Sequence, residues 1–84
     1  MSEFEWDAAK GRVNLRKHGV SFEAACRVFK DLEAVDRIDT RFDYGEERFL
    51  ITGRVEAEVL TLAYCERDER IRIISAKRAT KREQ

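Results

Sequence analysis

Three apolar runs that follow one another with very short spacers constrain the fold of this chain most. The runs are "RFLITGRV", "EVLTLAYC" and "RIRIIS", with two residues between the first pair and four between the second. Spacers this short join antiparallel strands, whereas a parallel crossover needs a dozen or more residues. In the middle run, the odd-numbered and the even-numbered positions are both largely apolar, which predicts a central strand covered on both faces. The chain is therefore expected to contain an antiparallel meander.

The residues before the meander predict an edge strand and two helices. In "EFEW", Phe4 and Trp6 point the same way, as in an edge strand seated on a core. Asp7 can cap a helix over "AAKGRVNLRKH", and Gly19 can supply its left-handed end. Ser21 can cap a second helix, which would form a hairpin with the first through a tight turn. An apolar stripe at helical spacing supports the second helix: Phe22, Ala25, Cys26 and Phe29.

Weaker signals complete the order of elements. The segment "AVDRID" is a plausible strand, "TRFDYGEE" reads as a polar turn around Gly45, and "AKRATKREQ" can start a closing helix. The predicted fold is a single α+β domain over residues 1–84. In it, an N-terminal strand and a two-helix hairpin pack on an antiparallel meander followed by a short C-terminal helix.

Composition limits what such a domain can be. With 84 residues, 43% hydrophobic and 40% charged, it has a modest core, and a permanent partner could supply part of its stability. No apolar run approaches the length of a membrane helix, and the acidic start is unlike a secretory signal. Cys26 and Cys65 lie far apart without ligand spacing, so they are interpreted as reduced core residues of a cytoplasmic protein.

Charge is unevenly distributed although the net charge is zero. One acid, Glu83, accompanies the basic residues after position 69, which are Arg70, Arg72, Lys77, Arg78, Lys81 and Arg82. A concentrated basic end can bind a polyanion because the local potential steers the ligand. The composition is equally that of an ordinary solvated helix, and this alternative stays open.

Three stretches of the chain together resemble the BrnT toxin family. They are "FEWDAAKGRVNLRKHGVSFEAACRVF", "RFDYGEERFLITGRV" and "RIRIISAKRATKRE". The specific elements are the "KHG" helix ending, the "DYGEER" turn, the "GR" of the next strand and the "IISA" run with basic residues after it. The resemblance extends from about Phe4 to Glu83, which is nearly the whole chain.

The resemblance implies a RelE-like ribonuclease fold and the role of toxin in a type II toxin–antitoxin pair. It further implies that the toxin blocks translation by cutting RNA and that a BrnA-like ribbon-helix-helix antitoxin neutralises it in a hetero-oligomer. No cofactor or metal is expected.

The residues themselves suggest how RNA could be cut without a metal. Cleavage needs a proton acceptor for the ribose 2′-OH, a proton donor for the leaving oxygen, and cations around the phosphate. The single histidine, His18, excludes a two-histidine mechanism and is better explained as a helix cap. The predicted catalytic residues are Glu47, Arg48, Tyr64, Lys77 and Arg78. The predicted substrate-binding residues are Arg41, Arg54, Arg70 and Arg72.

Purely structural roles are an alternative to these assignments. Glu47 could form only a turn-edge ion pair with Arg48, and Tyr64 could be a core aromatic with a bonded hydroxyl. Arg67, in the polar "ERDER" turn, is expected to tolerate loss of its charge. Two other functions also remain open: a non-catalytic RNA- or ribosome-binding module, and a structural partner that completes a transcriptional complex.

Overall fold

The structure, a computed structural model, describes residues 3–41, 43 and 45–84. Phe42 and Tyr44 of the predicted polar turn lie outside the described residues. The helices are α1 (Ala8–His18), α2 (Phe22–Ala25) and a 3-10 helix (Cys26–Lys30). The strands are β1 (Phe4–Glu5), β2 (Val35–Ile38), β3 (Phe49–Val55), β4 (Glu58–Arg67) and β5 (Arg70–Arg78).

The strands form one sheet in the order β1-β5-β4-β3-β2. Strands β2 to β5 pair antiparallel in succession, so the predicted meander is confirmed, and β4 is central as expected. Strand β1 pairs with β5 in parallel, with Phe4 opposite Ile71, so the whole sheet is mixed. The sequence predicted β1 as an edge strand but carried no signal for its direction.

Local capping chemistry sets the ends of the helices as predicted. The Asp7 carboxylate accepts the Lys10 N–H at 3.0 Å, and Gly19 ends α1 with a φ of 70°. The Ser21 hydroxyl accepts the Ala24 N–H at 3.1 Å and begins α2. These bonds satisfy N–H groups that a helix start leaves without intrahelical partners.

The second helix departs from the predicted stripe. After Ala25 it tightens into the 3-10 helix, which has three residues per turn. Spacing of three therefore aligns Phe22, Ala25 and Val28, and all three are buried, whereas Cys26 and Phe29 are only partly buried. The stripe predicted from ideal α-helical spacing missed Val28 for this reason.

The core lies between the helices and one face of the sheet, which we call the helix face. Phe22, Ala25 and Val28 pack there against side chains of the three central strands, including Ile51, Leu60, Leu62 and Ile73. We call the opposite side of the sheet the open face. Directly paired residues share a face, so the register of the strands assigns each side chain to one side or the other.

The predicted C-terminal helix is wrong. Ala76, Lys77 and Arg78 continue β5, because the long central strand offers them partners at Leu62, Thr61 and Leu60. Residues 79–84 contain no helix and form a single turn, in which the Gln84 N–H reaches the Thr80 carbonyl at 3.1 Å. Backbone pairing with β4 therefore outweighs the local helical preference of "AKRATKREQ".

Strand β5 contains an irregularity with consequences for the site. Ile73 pairs with Tyr64 and Ser75 pairs with Ala63, so Ile74 is an extra residue, as in a β-bulge. Before the bulge, Arg70 and Arg72 are on the open face. After it the alternation is shifted by one residue, so Lys77 is on the open face and Arg78 on the helix face.

Candidate nucleic-acid interface

One end of the open face carries a cluster of arginines. In the register of the sheet Cys65 lies opposite Arg72, and Arg67 lies opposite Arg70. Arg48 directly precedes β3, where continuation of the register places it beside Cys65. We call the group formed by Arg48, Arg67, Arg70 and Arg72 the arginine cluster. Strands β4 and β5 and the turn before β3 thus bring together residues up to 24 positions apart in sequence.

Glu46 is bonded to two arginines of the cluster. Its Oε2 accepts from Arg48 Nε at 3.3 Å, and its Oε1 accepts from Arg67 Nη2 at 3.4 Å. The hydrogen bond from Arg48, followed by that from Arg67, lowers the pKa of Glu46 below its usual range although partial desolvation opposes the shift. Glu46 is therefore ionised at neutral pH. Sequence reasoning missed Glu46 because its neighbour Glu47 has the same chemistry.

The Glu5 carboxylate pairs with the other two arginines of the cluster. Arg72 donates to its carboxylate at 2.9 Å, and Arg70 approaches the second oxygen at 4.0 Å. Both arginines stay partly exposed, with 30% and 43% of the side chain accessible for Arg72 and Arg70. Each guanidinium keeps donors that a phosphate oxygen could accept, because arginine has five N–H groups in a fixed fork.

The predicted residues Arg54 and Lys77 share the open face but lie away from the arginine cluster. Lys77 pairs with Thr61, four residues from Cys65 and hence about 13 Å along the strand. Arg54 lies further out, opposite Val59, and its backbone N–H is held by Asp31 Oδ2 at 2.7 Å. The open face therefore has two separate basic regions.

Arg78 and Arg41 have partners elsewhere in the fold. Arg78 donates to the His18 carbonyl at 3.0 Å and to Glu58 at 3.3 Å, so it neutralises the carbonyl end of α1. Arg41 forms a bidentate pair with the buried carboxylate of Asp39 at 2.9 Å through each oxygen. The expectation that Arg78 shares a surface with Arg48 and Lys77 is therefore wrong, because the bulge at Ile74 turns it to the other face.

Tyr64 and Glu47 also lie apart from the arginine cluster. Tyr64 is on the helix face between Phe29 and Phe49, with ring centroids 5.1 and 5.4 Å away, and its hydroxyl donates to Asp36 at 2.6 Å. Burial, then the bond to Asp36, raises the pKa of Tyr64 well above its usual value. The Glu47 side chain is exposed and forms no hydrogen bond or ion pair with another described residue.

The cysteines are unpaired, as predicted. Burial raises the pKa of the Cys26 thiol to about 11, and burial also raises that of Cys65 despite the arginines around it. Both thiols are therefore protonated at neutral pH and are poor nucleophiles. Among the described residues, no three side chains of His, Cys, Asp or Glu are grouped as a metal site would require. In that same part of the chain, no helix is long and apolar enough to cross a membrane.

A small α+β domain with a basic sheet face left uncovered by its helices is a class of protein suited to binding polyanions. Comparison with known families makes the assignment specific. Residues 6–83 match the model of the BrnT family, described as the ribonuclease toxin of a type II toxin–antitoxin system, and the chain belongs to that family. No curated protein matches the chain. Membership of a type II system implies a protein antitoxin as partner.

Proposed function

We propose that this protein is a metal-independent ribonuclease, RelE-like in fold, that stops translation by cutting RNA held on its open face. The observation that carries the proposal is the arginine cluster with Glu46 bonded to Arg48 and Arg67. Cleavage without a metal needs fixed cations where negative charge develops on the phosphate. Arginine suits this task because it is charged at any working pH and bonds phosphate through two parallel N–H groups.

The same cluster supplies a carboxylate for proton transfer. A phosphate that bonds to Arg48 and Arg67 competes with Glu46 for their N–H groups. The Glu46 carboxylate, ionised at neutral pH, is then released beside the ribose and can accept the 2′-OH proton. We therefore assign the role of base to Glu46 rather than to Glu47, and the phosphate contacts to the arginine cluster rather than to Arg78.

The test compares matched pairs of variants in cells that express the toxin without an antitoxin. Arg48→Ala is expected to lower cleavage by about 10²- to 10³-fold, as for loss of one preorganised donor. Arg48→Lys should restore little, because an ammonium cannot reproduce the fork. Arg12→Ala is the control of equal charge change, since Arg12 is exposed on α1. Mapping of 5′ RNA ends and growth arrest are the measurements.

Carboxylate variants and a chelator complete the test. Glu46→Gln should lose cleavage while Glu47→Gln retains it; the reverse result would move the base to Glu47. Cleavage by the purified protein should persist in EDTA. If growth stops without new RNA ends, the protein is a non-catalytic RNA- or ribosome-binding module. If Arg12→Ala impairs cleavage as much as Arg48→Ala, net charge and not geometry matters.

We further propose that the antitoxin is a BrnA-like ribbon-helix-helix protein and that the complex is cytoplasmic. A small domain with a basic face benefits from a partner that covers this face and neutralises it. Co-expression with the antitoxin should abolish RNA cleavage, and the purified complex should contain both chains. An antitoxin that binds without protecting the open face from RNA would contradict this part of the proposal.

A further inference from the structure

A second polar cluster lies at the other end of the open face, around the carboxylate of Glu83. Arg37 Nη2 donates to Glu83 Oε2 at 2.9 Å, and Arg37 Nη1 donates to the Thr52 hydroxyl at 3.1 Å. The Thr52 and Thr61 hydroxyl oxygens are 2.8 Å apart. Lys77 is opposite Thr61 in the register, and its charge acts on Glu83.

The hydrogen bonds of this cluster form one connected chain that runs from Glu83 through Arg37 and Thr52 to Thr61. Because Thr52 accepts from Arg37, its own proton is available to Thr61. The Thr61 hydroxyl lies beside the Glu83 carboxylate, which accepts from Arg37. Thr52 and Thr61 are almost fully buried, with 6% and 3% exposed. The carboxylate is therefore held by a guanidinium, beside a buried hydroxyl and an ammonium.

Such a set of donors binds an anion, and Glu83 is the anion that occupies it. Fixed N–H and O–H donors beside two cations equally fit the two free oxygens of a phosphodiester, which also carries one negative charge. The cluster is on the same face as the arginine cluster, about 13 Å away along the strands. One bound RNA strand could contact both.

We infer that Arg37, Thr61 and Lys77 form a phosphodiester subsite of the RNA-binding face, and that the Glu83 carboxylate plugs this subsite until RNA displaces it. The inference deepens the proposed function, and it rests on RNA binding to the open face. Glu83 then acts as an autoinhibitory group, because each RNA molecule must replace an intramolecular ligand before it can use the subsite.

The segment that carries Glu83 is suited to such a displacement. Thr80, Lys81 and Arg82 are exposed. Within the turn, Glu83 Oε1 accepts the Thr80 N–H at 2.9 Å and the Glu83 N–H reaches the Thr80 hydroxyl at 3.3 Å, as in a capping box. The turn can keep these internal bonds when Oε2 leaves Arg37, so opening costs few contacts.

Glu83→Gln is a sharp test because glutamine also serves in a capping box, so the turn is retained while the charge is removed. The probe is a short mixed-sequence oligonucleotide with 2′-deoxy sugars, which cannot be cleaved through a 2′-OH, and binding is followed by fluorescence anisotropy. We expect Glu83→Gln to bind it about tenfold more tightly, because the subsite is no longer occupied. The slope of log affinity against log salt should steepen by about 0.7, the value for one more phosphate contact on a single strand.

Two controls separate the plug from a simple charge effect. Glu58→Gln removes the same charge on the helix face, where Glu58 pairs with Arg78, and should change neither affinity nor slope. In an Arg37→Ala background, and separately in a Lys77→Ala background, Glu83→Gln should no longer tighten binding. Circular dichroism of each variant confirms that it is folded.

The outcomes distinguish this inference from the proposed function. If Glu83→Gln leaves the affinity unchanged while Arg48→Ala abolishes binding, the plug is wrong and the proposed RNA face stands. If no variant binds the oligonucleotide, both fail. If Glu83→Gln gained equally in affinity for a polyglutamate peptide of the same charge, the effect would be one of general charge, and the phosphodiester subsite would be overturned.

Discussion

At the scale of single residues, neighbours of similar chemistry have different surroundings. Glu46 bonds to two arginines, whereas Glu47 is exposed. Arg67 was expected to lie in a turn and to tolerate loss of its charge. It instead ends β4 and shares Glu46 with Arg48, so Arg67→Ala cannot serve as an inert control. Tyr64, a predicted proton donor, lies on the face opposite the arginine cluster with its hydroxyl bonded to Asp36.

We predict that Tyr64→Phe weakens the fold and leaves cleavage intact. Loss of the hydrogen bond to a carboxylate should lower the free energy of unfolding by about 1 to 2 kcal/mol, measured by urea denaturation. Phe keeps the ring contacts with Phe29 and Phe49, so the core should not form a cavity. A variant with full stability but no cleavage would instead assign Tyr64 to catalysis.

The raised pKa of Tyr64 predicts a loss of stability in alkali. Its folded-state pKa lies above the ordinary value of 10.0, because burial and the bond to Asp36 favour the protonated phenol. The resulting stabilisation is complete below pH 10 and is lost as the pH rises from there toward the folded-state value. Tyr64→Phe should remove this part of the alkaline destabilisation. If the free energy of unfolding fell in parallel with pH for wild type and Tyr64→Phe above pH 10, this prediction would be contradicted.

At the scale of elements, Asn14 joins α1 to the edge of β5. Strand β1 covers only the beginning of that edge, at Ile71 and Arg72. Further along, the buried Asn14 side chain donates to the Ala76 carbonyl at 2.8 Å and accepts the Ala76 N–H at 3.1 Å. It also donates to the Val20 carbonyl at 2.9 Å. The amide therefore replaces the strand partner that β5 lacks there.

We predict that Asn14→Leu lowers the free energy of unfolding by about 3 kcal/mol, because backbone groups at Ala76 and Val20 lose their partners in a buried site. Leucine is close in size and favours the helix, so the loss reports the hydrogen bonds. Lys17→Ala, at an exposed position of the same helix, should change stability by less than about 0.5 kcal/mol. Equal stabilities of the Asn14 variant and wild type would show that water replaces the amide.

Gly53 allows the 3-10 helix and the segment after it to lie close to β3. A Cβ at this position would come within 2.9 Å of both the Ala34 Cβ and Val28 Cγ1. Gly53→Ala should therefore destabilise the fold by about 1 to 3 kcal/mol through overpacking. Ala57→Gly, in the exposed turn between β3 and β4, is a control for changes of backbone freedom. A fully stable Gly53 variant would mean that the helix can shift outward without loss.

At the scale of the whole molecule, net neutrality conceals a separation of charge. The chain carries 17 basic and 17 acidic residues, yet the open face collects basic side chains from β2 to β5. Those basic side chains are Arg37, Arg48, Arg54, Arg67, Arg70, Arg72 and Lys77. A local concentration of this kind can attract a polyanion although the protein as a whole has no net charge.

Binding of single-stranded nucleic acid should accordingly depend steeply on salt. If the arginine cluster contacts four phosphates, log affinity should fall against log salt with a slope of about −3, measured by filter binding or anisotropy. Arg70→Ala should make the slope shallower by about 0.7, whereas Arg16→Ala on α1 should not change it. Binding that is independent of salt would contradict a surface dominated by phosphate contacts.

Local chemistry explains what the sequence by itself determined. Asp7, Gly19 and Ser21 act on backbone groups within a few residues, so the ends of α1 and the start of α2 could be predicted. The central position of β4 could likewise be predicted, because a strand that is buried on both faces has apolar residues at its odd-numbered and its even-numbered positions alike. In each case the determining contacts are close in sequence or follow a simple period.

Only the tertiary structure decided which residues meet on the open face. The bulge at Ile74 places Lys77 there and turns Arg78 to the carbonyl end of α1, and nothing in the local pattern of β5 marks it. The choice of Glu46 over Glu47 depends on Arg67, which is 21 residues away. The plug at Glu83 depends on Arg37, which is 46 residues away. A shift of one residue in a strand exchanges its two faces, so the composition of a sheet site is determined by pairing between distant segments, which a linear pattern does not contain.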